Sequence, residues 1–191
     1  MRAMLLTAVF SVNLLGASEM NVAICNLGGV NESVVSQAKS ETGLVYGSAD
    51  VRINWYTCEQ FPARMPTDGA PWFVIRLRND KPPRTVGPSS LDVMGKAFVE
   101  HNGGYMADAY WQAIALNSAQ HEADGGVLLG FVMAHELGHL LLGAGHTPDG
   151  IMQAAWGQKQ MDALRQRWLK FSEDCAERLG VALGARTASG R

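Results

Sequence analysis

Hydrophobic and polar positions change period several times along the chain, and each block predicts an element. NVAIC at 21–25 is a short apolar run and reads as a strand. Beyond Asn31, which can cap, Val34, Val35, Ala38, Thr42 and Val45 recur at three-to-four spacing. That predicts an amphipathic helix stopping near Gly47. VRINWYTC at 51–58 alternates Val51, Ile53 and Trp55 with Arg52, Asn54 and Tyr56, a half-buried strand. A proline-bearing loop at 59–71 leads to a second strong strand, WFVIRLR at 72–78. Residues 79–95 read as another loop. KAFVE at 96–100, the turn HNGG at 101–104 and YMADAYW at 105–111 then form a hairpin. Gln112 to His121 fits a short helix or a loop equally well.

From Gly126 to Gly143 the chain is almost continuously apolar, broken only by His135, Glu136 and His139. This run is too long for a strand and fits a buried helix. A closing helix is expected over 158–179, with Met161, Leu164, Trp168, Phe171 and Cys175 along one stripe. Residues 181–191 are small and polar and are expected to form a flexible tail. No repeat or linker divides the chain, so its 191 residues predict one domain.

Composition narrows the partners. Sixteen basic against eighteen acidic residues leave a net charge of −2, so no phosphate-neutralising surface, and hence no nucleic-acid partner, is expected. Residues 1–18 carry Arg2 followed by an apolar run and a small-residue exit, the layout of a secretory signal peptide with cleavage before Glu19 and Ala17 as the neighbouring option. That run is shorter than the about 20 residues a membrane span needs. The expectation is a secreted or periplasmic protein, with residues 19–180 as the folded domain and no stable membrane insertion. In such a compartment Cys25, Cys58 and Cys175 allow one bridge and one leftover thiol. Cys25 and Cys58 both end strand-like runs that neighbouring strands could bring together; three buried thiols are the alternative.

The chemistry concentrates in HELGH at 135–139. Four helical residues subtend about 400°, so His135 and His139 share one face and form a ready pair of zinc ligands. Glu136 projects about 100° away, beside a metal rather than onto it, where it can take a proton from a metal-bound water. Two histidines and a glutamate amid an apolar helix would be costly to bury without a partner, which argues against a merely stacked core pair. A catalytic zinc site usually has three protein ligands plus water, and His146 is the nearest third candidate. Gly143 and Gly145 allow the chain to turn sharply toward it.

The stretch HELGHLLLGAGHTPDGIM resembles the zinc signature of the metzincin metallopeptidases. The resemblance implies His135, His139 and His146 as ligands of one catalytic Zn2+, Glu136 as general base, Gly143 as the bend and Met152 as the Met-turn residue. It also implies an α+β fold: a twisted mixed sheet, an active-site helix and a C-terminal helix, with KAFVE or YMADAYW as the edge strand over a peptide-binding cleft. The family pattern is HExxHxxGxxH, whereas here Leu140, Leu141 and Leu142 separate His139 from Gly143. The segment Gly143–Gly145 must absorb that extra residue. A gluzincin-like ligand, Glu173 or Glu177 from the closing helix, stays open as an alternative to His146.

Weaker candidates are Tyr105 and Tyr110 as oxyanion donors, Asp108 as a cleft residue, His101 and His121 as surface residues, and Trp156 packed near the Met152 turn. The expected activity is hydrolysis of a protein or peptide substrate by a zinc-activated water. The alternative is a catalytically silent zinc-binding or protein-interaction module of the same fold. Cleavage specificity, oligomeric state and the physiological substrate leave no mark in the sequence.

Overall fold

Among the described residues, five strands line up in the order β2-β1-β3-β5-β4. They are β1 (Ser18–Asn26), β2 (Val51–Thr57), β3 (Trp72–Arg78), β4 (Gly95–Glu100) and β5 (Gly103–Tyr110). The structure is a computed structural model that describes residues 17–66, 68–80, 93–100 and 103–189. Most of the predicted signal segment, most of the 79–95 loop, and His101 with Asn102 of the hairpin turn therefore lie outside the described residues. β1 runs parallel to β2 and β3, and β3 parallel to β5, while β4 alone is antiparallel, paired to β5. The hairpin is therefore present, and β4 is the edge strand.

Period-2 alternation gives the sheet one strongly apolar face. Met20, Val22 and Ile24 of β1 stand beside Phe73, Ile75 and Leu77 of β3 and Ala107 and Ala109 of β5, all in the core. Against it pack α1 (Glu32–Gly47) and α3 (Gly125–Leu142), which also pack on each other. Asn31 caps α1 by accepting from the Ser33 N–H, as its sequence predicts. The Tyr46 hydroxyl of α1 donates to Ala134 O of α3, and Thr42 Oγ1 reaches Gly130 O at 2.9 Å, so α1 fixes the height of α3. On the opposite sheet face Asp108, only 3% exposed, accepts a bidentate fork from Arg76 of the neighbouring strand. Asp108 thus ties β3 to β5 and neither lines the cleft nor faces water.

The ambiguous segment is helical, α2 (Trp111–Gln120). Mixed α/β layering thus holds as expected, with five α-helices among the described residues. The closing helix differs from its prediction. It is two helices, α4 (Gln158–Arg165) and α5 (Glu173–Ser189), separated by an extended stretch. Arg167 sits at φ +56° and breaks the first, while its guanidinium holds the Glu41 carboxylate of α1. The break turns Trp168 outward, 71% exposed, yet leaves Met161, Leu164, Phe171 and Cys175 buried. Residues 181–189, expected as a tail, belong to α5. Leu183 is buried, and Arg186 donates to Gly104 O and Leu140 O, so α5 stays helical to Ser189 because its apolar stripe continues against α3 and β1. Cys25 and Cys58 form the disulfide, and Cys175 is the buried free thiol.

Candidate metal centre

Helix α3 brings His135 and His139 one turn apart, with their Nε2 atoms 3.0 Å from each other. Each ring is oriented through its other nitrogen: His135 Nδ1 lies 2.7 Å from Ile151 O and His139 Nδ1 2.9 Å from Gly143 O. Those carbonyls can only accept, so the protons belong on Nδ1 and the lone pairs on Nε2 face one another. Burial lowers the pKa of both rings, that of His135 to about 4, which keeps them neutral. Two neutral acceptors 3.0 Å apart have no proton to share, and a divalent cation at about 2.0–2.1 Å from each resolves the conflict.

His146 completes the group. Its ring centroid lies 4.7 Å from that of His139 and 5.6 Å from that of His135, and one ligand atom from each of the three rings falls within 4.8 Å of the others. The extra leucine before Gly143 is absorbed at one residue. Gly143 adopts φ +92° and ψ −177°, a region effectively reserved for glycine, so the chain reverses at once after Leu142. The same reversal aims the Gly143 carbonyl back at His139. Glu173 and Glu177 are exposed on α5 and do not join the group.

The support beneath is built from the 147–152 turn. Thr147 N–H donates to Met152 O, and the Thr147 hydroxyl donates to Asp149 O. Ile151 N–H donates to Lys170 O in the stretch between α4 and α5, while Ile151 O receives both His135 and the Trp156 indole. Trp156 therefore packs at the turn as expected, its ring edge-on to His135. Met152, 1% exposed, fits against α3 only because residue 138 is glycine. A Cβ there would sit 2.5 Å from Met152 Sδ.

Glu136 is 6% exposed, and its carboxyl pKa is pushed up to about 8 by burial, against a backbone hydrogen bond at Ala97. It and the three histidines line one cleft of about 560 Å³, whose other walls include Gly95 and Ala97 of β4, Val132 of α3, Asn117 of α2 and Trp156. Tyr105 and Tyr110 are not among the lining residues. Tyr105 points to solvent, and Tyr110 is buried. Sequence reasoning missed Gly95, Asn117 and Gln153, because nothing local marks a residue that meets a side chain from a distant element. The arrangement offers three imidazoles for one metal ion, a carboxyl beside it and an open approach.

No known family model matches the chain, and no curated protein matches it. Among solved structures, archaemetzincin from Methanopyrus kandleri superposes with a TM-score of 0.57 over 87% of this chain and 97% of that one, at 17% identity. The likeness is one of fold.

Proposed function

We propose that this chain is an exported zinc-dependent endopeptidase of the metzincin type. The observation that carries the reading is the convergence of His135, His139 and His146 beside the buried carboxyl of Glu136, at the floor of an open cleft. The archaemetzincin-like fold supports it.

His135, His139 and His146 would hold a zinc ion, which would supply a Lewis acid able to polarise a scissile carbonyl and to lower the pKa of water toward about 7. Glu136 accepts the proton of the attacking water and delivers it to the leaving amine, the general acid–base role its position beside the metal-binding face allows. The Ile151 and Gly143 carbonyls hold the imidazoles in their ligand tautomers. Met152, in the Met-turn role, closes the apolar floor against Gly138. β4, paired on one side only among the described residues, gives an extended peptide an edge to join by main-chain hydrogen bonds.

Residues 1–18 act as the export signal in this reading, and the Cys25–Cys58 bridge supports an oxidising compartment. Purified protein should hydrolyse an unstructured protein, lose that activity to a chelator and regain it with zinc. Glu136→Ala should bind zinc as the wild type does and cleave nothing. Zinc bound at one per chain with no hydrolysis by the wild type would instead identify the silent binding module.

A further inference from the structure

The edge strand β4 borders the cleft, and it also grips the carboxyl. A Cβ placed on Gly95 would lie 2.4 Å from Glu136 Oε1, 2.6 Å from Cγ and 2.7 Å from Cδ. The three nearest atoms all belong to that one side chain, beyond its own Cβ, and none to the α3 backbone. Gly95 is not among the residues at positive φ, so its conformation suits any amino acid and only the contact calls for glycine. Gly95 and Ala97 lie opposite Ala109 and Ala107 of β5, on the face turned to α3. The small residues of this hairpin thus leave a slot of one carboxyl's width.

We propose that Gly95 is a positioning residue for Glu136: the missing side chain forms the slot in which the carboxyl is held. Its catalytic consequence rests on the reading of Glu136 as general base. The three atoms nearest a Cβ at Gly95 all belong to Glu136 and none to a histidine, so the substitution should act on the carboxyl and leave metal binding in place.

The test is a double-mutant cycle read by thermal unfolding, zinc affinity and kinetics. Gly95→Ala should lower the thermal midpoint, reduce kcat at least tenfold, leave KM within about twofold and leave zinc affinity within about threefold. In a Glu136→Ala background the same substitution should no longer lower the midpoint, because the clashing atoms are gone. Should Gly95→Ala alone fail to fold, Glu136→Ala should restore folding. Equal destabilisation in both backgrounds, an unchanged kcat, or a zinc affinity that falls in step with kcat would each overturn the proposal. A wild type with no hydrolytic activity would defeat the peptidase reading instead, and the stability cycle would still decide whether Gly95 seats Glu136.

Discussion

Gly143→Ala isolates the device that lets an HExxH helix with one residue too many reach its third histidine. The added methyl meets nothing within 4 Å, so packing predicts no penalty. The backbone predicts a large one, because φ +92° with ψ −177° is essentially closed to alanine, at about 1–3 kcal/mol. In a domain of this size 1 kcal/mol shifts Tm by about 2–4 °C, so metal-free protein should melt roughly 2–12 °C lower. Any relaxation of that strain swings the Gly143 carbonyl off His139 Nδ1 and displaces His146 three residues later. Loss of such an orienting hydrogen bond typically costs about 10–100-fold in metal affinity. Thermal unfolding with and without zinc, and zinc competition against a chromophoric chelator, measure both effects. Gly145→Ala is the control: its surroundings are equally open and its φ is not in the left-handed region, so it should change neither. The reasoning fails if Gly143→Ala matches wild type in both assays, or if the two alanines do equal harm.

Removing the Cys25–Cys58 bridge, which closes a loop with sequence separation 33, should cost about 3–4 kcal/mol by loop entropy. Denaturant unfolding with and without reductant reads it, and a shift below about 1 kcal/mol contradicts the estimate. Arg167→Ala leaves the Glu41 carboxylate, 4% exposed, without the Arg167 guanidinium and should lower Tm. Adding Glu41→Gln should recover part of that loss, and no recovery would locate the role of Arg167 elsewhere. Gly138→Ala drives a methyl into Met152 and should cost about 1–3 kcal/mol as overpacking. Met152→Ala in the same chain should relieve the clash, so purely additive costs would exclude that contact.

Much of the fold was legible because local signals and burial agree. Asn31 and the spacing from Val34 to Val45 locate α1, and the apolar run at 72–78 coincides with β3. The two helical ligands were legible because i, i+4 spacing alone forces His135 and His139 onto one face. What escaped is set by partners remote in sequence. The stripe Met161, Leu164, Phe171, Cys175 keeps a helical period across 166–172, yet the ion pair with Glu41, 126 residues away, favours a break at Arg167. The polar composition after Gly180 suggested a fraying end, whereas Leu183 and Arg186 find partners on α3 and β5. Gly95 carries no local signal at all, since its requirement comes from a side chain on α3.

X-ray absorption at the zinc edge of the stoichiometrically loaded protein tests the central claim most directly. The account predicts three imidazole nitrogens at about 2.0–2.1 Å with one or two light oxygen donors from solvent, and His146→Ala should remove one imidazole from that shell. A shell with two imidazoles that His146→Ala leaves unchanged, or one closed by a fourth protein ligand, would contradict it.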